Sequence, residues 1–321
     1  MQIYSCGGAG INLGKHFEPY RGQCEKGFSN LSVRYIDSSD SNLGSIKTDS
    51  ENIHVLEETA GAGKKRSLPY EEIRARAPEI LLKYKPEDIN IVLHGFGGGS
   101  GSVIGPVLVS ELLARGHAVI VIGIGSTDSR IEIDNTVDTI KSYATISKIR
   151  KRPVPVIYYE NNKDTPRGSV DTEVYAAVAF LSAFFSGDNH EMDKTDLYNF
   201  LNYQEVTEYD PRLSYLEFFT QDIQVGKDHS LISVATLSDI DTPTTLNHLV
   251  EYQCTGFIDP SVTLKLGIKL PIHLCVMDGV FNDILTRLTK LTTAVKEHRN
   301  ARINKTIDVD MRDATDDGIV L

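Results

Sequence analysis

Five short runs rich in Ile, Val and Tyr, at residues 2–6, 32–36, 89–94, 118–124 and 154–159, punctuate the first half of the chain. Glycine-rich turns and stretches with helical apolar spacing separate them. Strand-type runs that alternate with helices predict a parallel sheet covered by helices on both faces. In such a sheet ligands bind outside the carboxyl ends of the strands, so the loops after these runs are where chemistry is expected. Residues 170–186 follow as a helix that is apolar nearly all round, carrying Val174, Val178, Phe180, Leu181, Phe184 and Phe185. A helix of that kind is buried on most sides and is expected to be the spine between two domains.

Beyond it the pattern changes. Residues 231–237 and 269–277 read as strands, the second with Leu270, Ile272, Leu274 and Val276 alternating onto one face, and together they suggest a smaller mixed-sheet domain. From 281 to 303, Phe281, Ile284, Leu285, Leu288, Leu291 and Val295 recur at helical spacing, which predicts one long amphipathic helix. The expected division is therefore residues 1–169, a central helix at 170–187, a second domain at 188–280, the long helix at 281–303 and a tail at 304–321. A length of 321 residues agrees with more than one core, at roughly 150 residues per domain.

Composition narrows the class. Hydrophobic residues at 40% and charged residues at 24% are those of a folded globular protein, which excludes disordered and collagen-like chains. The net charge of −11 argues against direct nucleic-acid binding, because phosphate-backbone binders depend on basic surface. Cys6, Cys24, Cys254 and Cys275 lack the spacing of a zinc site, so reduced thiols in a cytoplasmic protein are expected. No signal-peptide pattern opens the chain, and the apolar stretch at 174–185 is too short to span a bilayer, so no membrane association is expected. The charge is also segregated. Five basic against two acidic residues give +3 on 281–303, whereas two against five give −3 on 304–321.

The strongest chemical signal is His94-Gly95-Phe96-Gly97-Gly98-Gly99-Ser100-Gly101-Ser102, between a strand and a helix that reaches about Arg115. Consecutive glycines let backbone approach a ligand, and the helix N-terminus that follows offers free N–H groups to an anion, so the segment reads as a phosphate cradle. Pro106 is placed in the first turn of that helix and Gly116 at its end. A second cradle, Cys6-Gly7-Gly8-Ala9-Gly10-Ile11-Asn12, follows the first strand. Alone it resembles a loosened dinucleotide fingerprint with Asp37 as the ribose acid, but Asp37 lies further along than the ~20 residues usual there. A dehydrogenase has no evident use for two cradles. Gly61-Ala62-Gly63-Lys64-Lys65 fails as a P-loop, lacking the upstream glycine and the hydroxyl residue, and remains a candidate wall for a terminal phosphate.

Gly7-Gly8-Ala9-Gly10-Ile11-Asn12, then Gly61-Ala62-Gly63, then Gly97-Gly98-Gly99-Ser100-Gly101-Ser102 resemble, in that order, the phosphate loops of the tubulin/FtsZ superfamily. The third is similar to its signature loop GGGTGSG, with Ser100 for Thr and Val103 for the last Gly. GGGSGSV and an acidic tail point to the phage-encoded, PhuZ-type branch, and the resemblance covers nearly the whole chain. It implies a tubulin-like α/β fold: a Rossmann-like parallel-sheet GTP-binding domain, a central helix, a smaller mixed α+β domain, a long C-terminal helix and an acidic tail. GTP or GDP with Mg²⁺ is the implied ligand. Asn161 sits where the family contacts guanine, and Asp171 where a second base contact belongs. An ionised carboxylate accepts from guanine's adjacent N1–H and amine, a pair adenine lacks. Asp171 also suits a helix N-terminus for its charge alone. On the ribose side, residues 126–134 offer Glu132. Asp37 and Asp40 either hold hydrated Mg²⁺ or shape their turn.

Asp193 and Asp196, three apart, share a helix face where the superfamily carries an acidic loop that reaches the neighbouring subunit's nucleotide. They either polarise the attacking water or cap a helix, for which Asp193 is well suited. The tail carboxylates Asp313, Asp316 and Asp317 and the basic Lys296, Arg299 and Arg302 either lie in solvent or join successive subunits. The implied function is a polymerising GTPase, a head-to-tail homopolymer that hydrolyses GTP between subunits. The phage resemblance implies a cytomotive filament that positions viral DNA or its compartment in an infected bacterium, with DNA or capsids as indirect cargo. A plasmid-partition or cell-division filament of the same superfamily is the alternative, and an NAD(P)-dependent Rossmann oxidoreductase the rival from another class.

Overall fold

A computed structural model of the chain describes residues 1–20, 31–44, 46–56, 64–66, 70–185, 189–220, 228–244 and 248–303. Six parallel strands form its first half: β1 (Gln2–Cys6), β2 (Ser32–Asp37), β3 (Ile53–Val55), β4 (Asn90–Gly95), β5 (Val119–Ser126) and β6 (Val154–Asn161). They lie in the order β3-β2-β1-β4-β5-β6, so the chain reverses its winding direction at β1 and β4. The helices are α1 (Gly7–Gly14), α2 (Tyr70–Lys83), α3 (Gly101–Ala114), α4 (Arg130–Arg150) and α5 (Arg167–Phe185). Alternation along each strand feeds two cores. Ile3 packs with Ile11 of α1 and Val174 of α5 on one face, while its neighbour Tyr4 packs with Ile80 of α2, Leu108 of α3 and Ile140 of α4 on the other.

The remaining elements are β7 (Asn189–His190), α6 (Lys194–Leu201), β8 (Leu213–Phe219), β9 (Ser230–Asp239), β10 (Tyr252–Ile258), α7 (Pro260–Leu266), β11 (Ile272–Asp278) and α8 (Val280–Ile303). The second half is mixed in strand direction, as expected, but its strands do not form a sheet of their own. β8 pairs with β6 in parallel, Val154 opposite Leu213, and among the described residues one eleven-stranded sheet runs through both halves. β3, β7, β8 and β10 escape a reading of apolar runs. They are either two or three residues long or broken by polar positions such as Glu217 and Gln253.

Helix ends also differ from expectation for local reasons. α5 begins at Arg167, one turn before 170, because Pro166 starts it and the polar residues Arg167, Gly168 and Ser169 give no apolar signal. Pro106 falls in the second turn of α3 rather than the first, since that helix already starts at Gly101. α8 starts where β11 ends, sets Phe281 beside Tyr158 and Tyr215, buries Leu288 in the outer core and reaches Glu160 through Arg287. It thus runs along the outer face toward the carboxyl edge of the parallel strands.

The two glycine loops after β1 and β4 are in backbone contact. Gly7 has φ +66°, and a Cβ there would lie 2.6 Å from the Gly101 nitrogen. Gly101 is equally confined, 2.8 Å from the Cys6 carbonyl oxygen by the same measure. The substitution Gly7→Ala is expected to cost about 1–3 kcal/mol through strain and overpacking. At Gly98 a Cβ would meet nothing within 4 Å, so Gly98→Ala should shift stability by no more than ~0.5 kcal/mol. Urea denaturation of both variants checks the contrast.

Candidate functional site

At the carboxyl ends of the parallel strands lies a cavity of about 710 Å³, within the range of small-molecule sites. Gly7, Gly8, Ala9, Asn12, Asp37, Gly97, Gly98, Gly99, Ser100, Gly101, Glu132, Asn161 and Asp171 all line it, as the sequence anticipated. Ser102 does not. It is buried and its hydroxyl donates to the Gly99 carbonyl at 2.9 Å, which braces the loop from behind. Asp40 is exposed beside the site, and its carbonyl accepts from the Leu43 N–H at 2.8 Å in a turn. Gly61, Ala62, Gly63, Asp313, Asp316 and Asp317 lie outside the described residues. So do the side chains of Arg299 and Arg302, while Lys296 is exposed on α8.

The first turns of α1 and α3 both open into the cavity, so two sets of unpaired main-chain N–H groups converge where an anionic ligand would lie. Behind them Asp37 is buried. It accepts from the Ser38 N–H at 2.7 Å and from the Asn42 amide at 2.9 Å. The Ser38 hydroxyl in turn meets that of Ser100. Burial pushes the Asp37 carboxyl above its ordinary value despite these hydrogen bonds, and a cation beside it would relieve that cost. Asn135 ties down the glycine loop: its amide donates to the carbonyls of Gly97 and Gly98, at 3.0 and 3.2 Å, and to that of Lys64 at 3.0 Å. Asn42 and Asn135 carry no signal in the sequence, and Asp128 is marked only as part of the stretch 126–134. None belongs to a glycine motif, and only the packing of α4 against the loop brings Asn135 there.

At the opposite end of the cavity β6 delivers Asn161, Asn162 follows it, and the first turns of α5 deliver Arg167 and Asp171. The Oδ1 atom of Asn161 is buried and accepts no hydrogen bond among the described residues. A buried acceptor without a donor is costly, which fits a ligand N–H at that point. The neighbouring Glu160 anchors this wall. It accepts two hydrogen bonds from Arg287 of α8, at 2.8 and 2.7 Å, one from Tyr158 at 2.9 Å and one from Asn162 at 3.4 Å. Burial pushes the Glu160 carboxyl up, but Arg287 and these donors outweigh it and hold it below its ordinary value.

Asp193 and Asp196 are elsewhere. Asp193 caps α6, one of its oxygens accepting from the N–H groups of Thr195 at 2.7 Å and Asp196 at 3.0 Å, while Asp196 accepts from the Asp193 N–H at 3.0 Å. The capping role considered from sequence is therefore present. Both carboxylates remain beyond reach of the cavity. Asp193 borders a second cavity, with Met1, Ile89 and Ala118, at the amino ends of β1, β4 and β5. β1 spans five residues between Met1 there and Cys6 in the first cavity, a separation of about 17 Å. The Asp196 N–H, then that of Thr195, hold the Asp193 carboxyl below its ordinary value, so it is ionised near neutral pH.

Comparison with known proteins gives the following. The model of the Tubulin/FtsZ family, GTPase domain, matches residues 2–163. A phage tubulin-like protein of Pseudomonas phage phiKZ is 30% identical over 99% of this chain and 97% of its own length. Among solved structures, the protofilament of TubZ from bacteriophage PhiKZ superposes with a TM-score of 0.82 at 28% identity, covering 100% of this chain and 98% of that one. The phage tubulin PhuZ with GDP gives 0.84 at 20% identity over 99% and 98%, a likeness of fold alone. No helix among the described residues is long and apolar enough to cross a membrane.

The Glu160–Arg287 pair has a pH signature. Because the folded carboxyl titrates below its unfolded value, the pair stabilises fully above that unfolded value and its contribution is lost as pH falls through the folded one. The Arg287 side chain is 48% exposed, which discounts the pair, so Arg287→Ala should cost about 1–2 kcal/mol at neutral pH. That deficit should shrink in acid, as pH falls through the depressed value of the folded carboxyl and Glu160 takes up a proton. Urea titrations at neutral and acid pH measure it, and a deficit independent of pH would assign the effect to packing.

Proposed function

We propose, from the premise that the chain belongs to the Tubulin/FtsZ family, that one end of the subunit holds GTP and the other carries the carboxylates that hydrolyse it in the next subunit. The protein is a phage tubulin-like GTPase that assembles into head-to-tail filaments. The observation that carries the reading is the placement of Asp193 and Asp196 at the amino edge of the sheet, a strand's length from the cavity. No motion within one chain that preserves the sheet brings them together. Stacking of identical subunits along the strand direction does.

In this reading Asn161 and Asp171 hold the guanine, the Asn161 Oδ1 accepting a base N–H and the Asp171 carboxylate accepting from a second donor. Main-chain N–H groups at the starts of α1 and α3, with the Ser100 hydroxyl, hold the phosphates. Asp37 fits a role toward a hydrated Mg²⁺, its buried carboxyl being relieved by positive charge. When bound, the ion offsets charge on the phosphates. Asp193 and Asp196 of the neighbour orient the attacking water and accept its proton; the capping bonds fix both side chains for that task. Hydrolysis then weakens the contact that made it possible. The reading extends to a filament in the cytoplasm of an infected bacterium that moves viral DNA or capsids; the phage origin of the relatives is its support, and the net charge of −11 is the support for no direct grip on nucleic acid.

A mixing experiment tests the division of labour. Asp193→Asn keeps a side-chain acceptor at the cap, so α6 should fold, while Asp171→Ala removes the base contact. Each variant alone should release phosphate from GTP at least about 100-fold more slowly than the parent, a loss on the scale of a missing general base. Mixed together, the intact cavity of the first and the intact Asp193 of the second meet at hybrid junctions, and part of the activity should return. Electron microscopy of the parent with GTP reads out the filaments. Absence of recovery despite co-assembly would refute hydrolysis across the junction.

A further inference from the structure

The lining of the nucleotide cavity carries two cationic side chains among the described residues, Lys64 and Arg167. They stand against Asp37, Asp128, Glu132 and Asp171. A triphosphate brought into that surround needs positive charge close to its oxygens, and the two cations differ in position. Arg167 opens α5, one turn before Asp171 at the base end. Lys64 is joined to the glycine loop: its carbonyl shares the Asn135 amide with the carbonyls of Gly97 and Gly98.

Two further features show that Lys64 is held in place by more than its own side chain. Its backbone is left-handed, φ +63°, a conformation a lysine adopts only under constraint. Two residues on, the half-buried Arg66 donates to the Asn135 carbonyl at 3.3 Å, to the Ser142 hydroxyl at 3.2 Å and to the Thr139 hydroxyl, which pins residues 64–66 to α4. The ammonium lies outside that anchor, in one ion pair at the surface of the cavity. Lys64 is 51% exposed, and its nitrogen lies 3.0 Å from Glu132 Oε1, while Glu132 is secured independently by the Ser129 hydroxyl at 2.8 Å.

We propose that Lys64 is a phosphate ligand: its ammonium rests on Glu132 in the empty site and turns onto the phosphate chain lying over Gly97 and Gly98 when nucleotide binds. The inference rests on the cavity being the GTP site. Main-chain N–H groups supply direction but only partial charge, and a lysine on a flexible stem adds a full one without altering the loop. Because the anchor runs through the Lys64 carbonyl, replacing the side chain leaves the loop in place.

Calorimetric titration of GTP, GDP and guanosine into the full chain tests this in the parent, Lys64→Gln and Lys64→Arg. The glutamine variant should bind GTP and GDP at least about tenfold more weakly, the scale of a lost charge-assisted hydrogen bond. It should hold guanosine within about twofold of the parent, since guanosine has no phosphate for the ammonium to meet. The arginine variant should recover most of the loss. Equal losses for guanosine and the nucleotides would make Lys64 a structural residue, and unchanged affinities would remove it from the site; either overturns the proposal. A parent that binds GTP no better than ATP would instead fail the reading of the site itself.

Discussion

The contact between Gly7 and Gly101 is the constraint on which the site depends. Two parallel strands, β1 and β4, lie side by side at the point where the winding of the sheet reverses, and each hands its chain to a helix within a residue or a short loop. Both helices can start at the same place only if their first residues pass at backbone distance, and a side chain at either position would separate them. With the contact made, two helix N-termini face one volume and their unpaired N–H groups act together on an anion. The buried Asp37 and Ser38, linked to Ser100, and the Asn135 staple sit around this contact and keep the loops from relaxing out of it.

Around that fixed centre the structure keeps two groups of carboxylates apart. The cavity is lined by Asp37, Asp128, Glu132 and Asp171, whereas Asp193 and Asp196 form the cap of a helix at the far edge of the sheet. The same backbone donors that satisfy the N-terminus of α6 hold the Asp193 carboxyl below its ordinary value and fix its geometry.

The C-terminal helix enters this scheme through one buried carboxylate. Glu160 adjoins Asn161 on β6 and is gripped from outside by Arg287, so this wall of the cavity and α8 share a bond. α8 reaches Glu160 after packing along the outer core, and its basic far end continues into the acidic tail. Any displacement of that helix is therefore applied next to Asn161 in the wall of the cavity.

Much of this was legible in the chain as written. Strand-type runs followed at once by glycine loops determined the parallel sheet, the edge at which a ligand binds and most of the residues lining the cavity, because glycine freedom and strand alternation act within a few residues. Asp193 likewise carried its capping signal in Asp193-Lys194-Thr195-Asp196. Other features were decided by the tertiary structure alone. That β8 extends the first sheet, that Asn135 of α4 braces a loop more than thirty residues earlier, and that Glu160 meets Arg287 all depend on pairings between distant segments. So does the separation of Asp193 from the cavity. A spacing of three between two aspartates says which helix face they share; which end of the sheet that helix occupies follows from strand direction and order, which long-range packing sets.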